Sequence, residues 1–278
     1  MPNHVTTKIE FHGKQENINK IFELIKGYEE CIDFNKLITM PKELNLPSST
    51  DADLSMVYAL EKMTYEDRSK TKKMLRDAPC SFYGNYYNRI FGHNRNAQSD
   101  FIEERAKDFE RRIKTQDISF GDTDYENLGI KTFEDLGNAY IRNIIVYGHD
   151  TWYDWCCANW GTKWNAYHSN LDKYNNTIEF DTAWACPIPV LEQLATICDE
   201  YGVWFEGKWA DEDAGSNTGT FESNYCGEGV WNVEYMENRS DAAYEIYTEL
   251  KGTHDCLGKD DDGHWVFYDC DSCPHPCC

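Results

Sequence analysis

The residues best placed to do chemistry crowd the C-terminal end, where Cys256, Cys270, Cys273, Cys277 and Cys278 fall within the last 23 of 278 residues. Cys270-Asp271-Ser272-Cys273-Pro274-His275 joins a C-x-x-C to a histidine, the donor types of a zinc site. A structural zinc ion normally takes two ligand pairs from segments separated by a loop. Cys256, Cys270 and Cys273 supply three thiolates, with His254, His264 or His275 as the candidate fourth ligand. Two other readings compete with zinc: disulfides among Cys273, Cys277 and Cys278, able to link subunits under oxidising conditions, and plain free thiols. The start Met1-Pro2-Asn3-His4 lacks the basic and apolar stretches of a secretory signal. A reducing cytosol is therefore expected, where thiols stay free, and the expectation is no metal and no cofactor. Cys31, Cys80, Cys156, Cys157, Cys186, Cys198 and Cys226 have no ligand-like spacing and read as small core residues.

Catalytic motifs are missing from the linear sequence. There is no H-E-x-x-H, no G-x-S-x-G and no glycine loop with the spacing that cradles phosphate. Gly227-Glu228-Gly229 reads as a turn. Asp260-Asp261-Asp262-Gly263 starts like a calcium loop but lacks the later liganding Glu. His168 near Asp172, and His149 beside Asp150, read as surface histidines. No catalytic residue is assigned, although an enzyme stays as the alternative because active sites assemble from distant residues. Trp152, Trp155, Trp160 and Trp164 could stack bases, but Lys163 is the single Lys or Arg between Asn143 and Lys173. Base-stacking sites need a basic groove, so Trp155, Trp160 and Trp164 are expected to cover one sheet face, with Gly161 in a tight turn.

Charge points the same way. The net charge is -22, from 49 acidic and 27 basic side chains. Residues 1 to 120 hold 19 of each sign, and residues 121 to 278 hold 30 acidic against 8 basic. Direct nucleic-acid binding is disfavoured, since phosphate contacts draw on clustered Lys and Arg. No run of about 20 apolar residues suggests a membrane span. Asp211-Glu212-Asp213 follows Trp209, and Asp260-Asp261-Asp262 precedes Trp265. Carboxylates set among aromatics resemble a protein interface, in which aromatics anchor and charges steer a basic partner. Asp211, Glu212, Asp213, Asp260, Asp261, Asp262 and Trp265 are the candidate interface residues.

Periodicity supplies the elements. His4 to Phe11 alternates as a strand, Asn17 to Tyr28 has helical spacing, and Ile32 to Ile38 reads as a second strand ending at Met40-Pro41. Helices are expected over 54–75, 97–113 and 133–146. Strands follow at 177–183, 203–210, 219–225 and 230–236, with helices at 187–201 and 241–250 and a short strand at 265–268. These imply an α+β fold, a ferredoxin-like antiparallel sheet with a long helical insertion and extra C-terminal strands. The expected parts are 1–43 and 151–252 as two halves of one domain, 44–150 as the insertion, and 253–278 as an acidic Cys-rich tail.

Three stretches carry a family resemblance: the opening Met1 to Phe11, Phe34 to Leu44 (Phe-Asn-Lys-Leu-Ile-Thr-Met-Pro-Lys-Glu-Leu), and Trp155 to Tyr167 followed by Ile178 to Trp184. Together they resemble the YubB-type ferredoxin-like family carried by phages and plasmids. By size, helical insert and Cys-bearing tail the chain is also similar to phage inhibitors of the Gabija antiphage system. The resemblance implies a non-enzymatic inhibitor in the cytoplasm of an infected bacterium. It would bind a host defence complex of nuclease and ATPase by covering that complex's basic, DNA-binding surface, and it would self-associate. No motif residue of those inhibitors carries over. The competing expectations are an enzyme that degrades a nucleotide defence signal, or a phage accessory binding module.

Overall fold

A computed structural model describes residues 3–81, 84–91, 99–115, 123–224, 230–252 and 256–267. The chain starts in one compact unit, leaves it for a second, and returns: 1–39 with 159–278, and 40–158.

Strand β1 (His4–His12) buries Val5, Thr7, Ile9 and Phe11 at alternate positions. Helix α1 (Gln15–Ile25) buries Ile18, Ile21, Phe22 and Ile25 along one stripe. Phe22 meets Phe11 edge-on, with ring centres 5.2 Å apart, so this side of β1 is the helix-covered side. The expected strand over 32–38 is absent, replaced by a 3-10 turn at Phe34–Lys36. Side chains capture the backbone donors a ladder would need: Asp33 accepts from Asn35 N–H, and Asn165 accepts from Phe34 N–H. Leu37 and Ile38 N–H both return to the Phe34 carbonyl.

The second unit is mainly helical: α2 (Thr50–Lys62), α3 (Tyr65–Asp77), β2 (Cys80–Ser81), β3 (Gly84–Asn85), α4 (Tyr86–Phe91), α5 (Ser99–Lys114), α6 (Phe133–Tyr147) and α7 (Trp152–Asn159). The single helix expected over 54–75 is broken because Thr64, in extended backbone, accepts from Asp67 N–H and starts α3 afresh. Met56, Leu60, Phe133, Leu136, Tyr140 and Ile144 lie in its core. Helix α6 opens on a capping box, Thr132 with Asp135, and closes at Gly148 in the left-handed region.

Back in the first unit come β4 (Tyr167–Asp172), β5 (Thr177–Ala183), α8 (Ile188–Glu200), β6 (Trp204–Ala210), β7 (Gly219–Asn224), β8 (Val230–Tyr235), α9 (Asp241–Lys251), β9 (Leu257–Lys259) and β10 (Trp265–Phe267). The six-stranded sheet runs β4-β5-β1-β6-β7-β8, every neighbouring pair antiparallel. Its first four strands with α1 and α8 are a ferredoxin-like unit, and β7 and β8 widen it beyond β6. The strand that follows α1 in this motif is β4, some 140 residues later, so the insertion sits inside the first β-α-β crossover. Helix α9 packs on the sheet face opposite α1, at Ala210, with Tyr244, Ile246 and Tyr247. Among the described residues, no helix is long and apolar enough to cross a membrane.

Candidate functional site

Register decides what the open sheet face presents. β1 pairs with β6 so that His12 lies opposite Trp204, Glu10 opposite Glu206, and Lys8 opposite Lys208. β6 pairs with β7 so that Glu206 lies opposite Glu222. Side chains alternate across a strand, and these positions fall on the side away from Phe11 and Phe205. Glu10, Glu206 and Glu222 therefore form a row of three carboxylates on adjacent strands. Like charges directly opposite one another destabilise a sheet. Among the described residues no Lys or Arg lies within ion-pair distance of these three. Lys208, on the next rung, is drawn to Glu249 of α9 at 2.6 Å. A groove of about 520 Å³ runs over the row, lined by Lys8, Glu10, Glu206, Lys208, Glu222 and Glu234.

His12 closes one end of the row. Its ring stacks on Trp204, with centres 4.0 Å apart and planes 22° from parallel. That stacking fixes the imidazole plane, and Nε2 lies 3.5 Å from a Glu206 oxygen and 3.9 Å from a Glu10 oxygen. Nε2 is shielded from solvent yet has no hydrogen-bond partner. The three donor atoms lie within 4.8 Å of one another.

A second polar group lies at the start of β1. His4 Nδ1 is 2.7 Å from the Tyr167 hydroxyl, His168 Nδ1 is 3.2 Å from Asp181, and Thr6 donates to Asp181 at 2.6 Å. His168 sits at a register shift in β4 with φ of 52°, a backbone region costly for a non-glycine residue. It pairs with Asp181, and not with Asp172, its sequence neighbour. Burial, with Asp181 and Glu212 adding, pushes the Tyr167 hydroxyl up to about 12. Lys163 lies over the Trp164 and Trp184 rings at 4.7 and 4.8 Å.

In the helical unit a buried ionic group joins Arg89 to Asp53 at 2.9 Å and to Asp150 at 3.1 Å. Tyr86 accepts from Asp150 N–H and reaches Asp154. Burial raises the Asp150 carboxyl, against the pull of Arg89, and lowers His149. Asp150 is thus a buried partner of Arg89, while His149 is half-buried. The group reads as a structural network of the helical unit, although Asp154 Oδ1 and His149 Nδ1 are buried without a hydrogen-bond partner among the described residues.

The sequence-predicted residues fall in different places. Asp211 is buried and accepts from Asn3, Asn217 and Asp213 N–H, so its carboxylate organises the loop after β6 and is no docking arm. Glu212 and Asp213 are exposed, yet Glu212 accepts from His4 N–H and Asp213 from Asn3. Asp260 accepts from Asp262 and His264 N–H, shaping the β9–β10 turn, while Asp261 and Asp262 are exposed. Trp265 packs on the Tyr244, Tyr247 and Leu257 cluster under Lys259. Cys256 is buried and His264 Nδ1 pairs with Asp241 at 2.7 Å. His254, Cys226, Cys270, Cys273, His275, Cys277 and Cys278 lie outside the described residues. Cys156, Cys186 and Cys198 are buried, and Cys31 and Cys157 are partly so. Trp155 belongs to α7, in the helical unit. Trp160 meets Phe34 edge-on and Gly161 takes a left-handed φ of 76°, but Trp164 is 38% exposed.

Sequence reading missed Glu10, His12, Glu206 and Glu222. The one available signal was that Glu10, His12 and Glu206 take the outward places of alternating strands. Their meeting depends on a register that spans nearly 200 residues.

Residues 160–255 match the family described as a ferredoxin-like domain in Api92-like protein. A crystal structure of the protein api92 from Yersinia pseudotuberculosis is similar over 85% of this chain and 99% of that one, with 12% identity and a TM-score of 0.39. No curated protein matches the chain in sequence. Over residues 160–255, from β4 to α9, the chain is thus similar to the ferredoxin-like domain of Api92-like proteins, and the match covers the part of the ferredoxin-like unit that follows the insertion.

Proposed function

We propose that this chain is a non-enzymatic binding module whose acidic sheet face docks on a basic protein surface of the kind that otherwise binds DNA. The observation that carries the reading is the row Glu10, Glu206 and Glu222, three facing carboxylates with His12 at one end and no Lys or Arg partner among the described residues. A fold that keeps such repulsion on an open face gains when a cationic surface covers it. The finer reading, that the partner is a host defence complex and first of all a Gabija nuclease and ATPase complex, rests on the sequence resemblance alone. It places the protein in the cytoplasm of an infected bacterium.

Size-exclusion chromatography of the pure chain with that complex, at micromolar concentration, tests both levels. Co-elution with loss of DNA cleavage is expected. The triple variant Glu10→Gln, Glu206→Gln, Glu222→Gln should associate more slowly and with a flatter salt dependence. Failure to associate removes the named target, and variant kinetics equal to the parent's would remove the sheet face. Turnover of a cyclic nucleotide by the pure chain would replace the binding reading with an enzymatic one.

A further inference from the structure

We propose that Glu10, His12 and Glu206 bind one divalent transition-metal ion of the zinc type, with open coordination positions facing the groove. One imidazole nitrogen and two carboxylate oxygens are a donor set that suits zinc, cobalt, nickel and manganese. Zinc binds such nitrogen and oxygen atoms at about 2.0–2.2 Å, which puts tetrahedral neighbours about 3.4 Å apart. The separations of 3.5 and 3.9 Å from Nε2 to the two carboxylates come close to that spacing, and all three donor atoms lie within 4.8 Å of one another, so a small shift of the two exposed glutamates closes them on an ion.

Two independent features make this more than neighbouring acids on a surface. First, the donor nitrogen is shielded from water and has no hydrogen-bond partner, and its ring is held by the Trp204 stack, so the lone pair is oriented at little further entropic cost. Second, the ligands come from rigid positions in paired strands, two residues apart on β1 and directly across on β6, which fixes their mutual geometry. A dication here also offsets the repulsion along the row, to which Glu222 adds from β7. Lys8 and Lys208 stand one rung away and oppose binding, but Glu249 takes up Lys208. The competing reading is a protonated His12 that simply pairs with both glutamates.

Cobalt(II) titration of the full chain separates the two. The expected result is one equivalent whose spectrum lacks the near-ultraviolet band of thiolate-to-cobalt charge transfer, displaced by zinc in keeping with the usual affinity order. Glu206→Gln and His12→Gln should each weaken it roughly tenfold or more. Cys270→Ser with Cys273→Ser should leave it unchanged. Glu206 is half exposed, so should His12→Gln misfold, Glu206→Gln and Glu10→Gln decide alone. No uptake at millimolar cobalt, a thiolate spectrum, or affinity unaffected by the glutamate variants overturns the site. A chain that takes up cobalt but meets no basic partner keeps this inference and loses the docking one.

Discussion

Glu206 faces a carboxylate on either side, Glu10 on β1 and Glu222 on β7. Its charge therefore costs the fold something that neutralisation would return. With a chelator present, Glu206→Gln should stabilise the protein by about 0.2–1 kcal/mol, the range for cross-strand pairs, read as a higher urea midpoint at unchanged slope. A lower midpoint would mean that the carboxylate serves a hydrogen bond the fold needs. Asp211 behaves in the opposite sense: its oxygens meet three N–H donors, and an amide in its place would turn a donor toward donors. These two acids look alike in the sequence. The charge excess was legible there, but which acids are free to meet a partner was not, because Asp211 is set by a loop and Glu206 by a register.

Elements with strong periodicity were easy to read. β1, β5, α6 and α8 announce themselves by alternation, by the capping box at Thr132, or by Pro187 ahead of the helix and Gly202 beyond it. Two failures share a cause in polar side chains. The segment 32–38 has strand-like composition, yet Asp33 and Asn165 take its backbone donors. Conversely Tyr167–Asp172, Tyr-His-Ser-Asn-Leu-Asp, has little strand propensity and becomes a strand because β5 and a bulge accommodate it. Between α2 and α6 the deciding residue is Gly137, where a Cβ would collide with the Ser55 carbonyl oxygen and the Ala59 methyl. Gly137→Ala should therefore destabilise by about 1–3 kcal/mol, the usual cost of overpacking, despite alanine's better helix propensity, and thermal unfolding measures it. At the start of α9, Asp241 accepts from His264 and from Trp265 N–H, which ties the β9–β10 turn to the helix. The hydrogen bond to Asp241 raises His264 above its ordinary 6.5, and the same bond lowers Asp241. Because the folded His264 value lies above the unfolded one, this tie is fully present below pH 6.5 and is lost as pH rises through the raised value. In an NMR titration, Asp241→Asn should move the His264 midpoint down toward 6.5; an unmoved midpoint would show that Asp241 is not the partner in solution.

At the scale of the molecule, residues 40–158 hold their own core, built on α2, α6 and their neighbours. Expressed alone, 40–158 should unfold cooperatively in urea with near-native helicity; a non-cooperative loss of helicity would show that it depends on the flanking sheet. The sum of -22 divides unevenly over this architecture: residues 40–158 hold 20 acidic and 16 basic side chains, net -4, whereas residues 159–278 hold 23 and 6, net -17. The ferredoxin-like class was legible because both its halves alternate clearly. The place where the insertion breaks the motif was not, because the false strand at 32–38 completed a β-α-β unit too early.

That break has a consequence in time. β1 is interior to the sheet, and its partners β5 and β6 begin at Thr177 and Trp204. At about 5–20 residues per second, a ribosome needs on the order of ten to thirty seconds to make the first of them after finishing β1. Throughout that interval Val5, Thr7, Ile9 and Phe11 are an unpaired, β-prone segment on a nascent chain, while the whole helical insertion emerges. The newborn protein is thus most open to capture by chaperones, or by a neighbouring chain's β1, before its sheet exists.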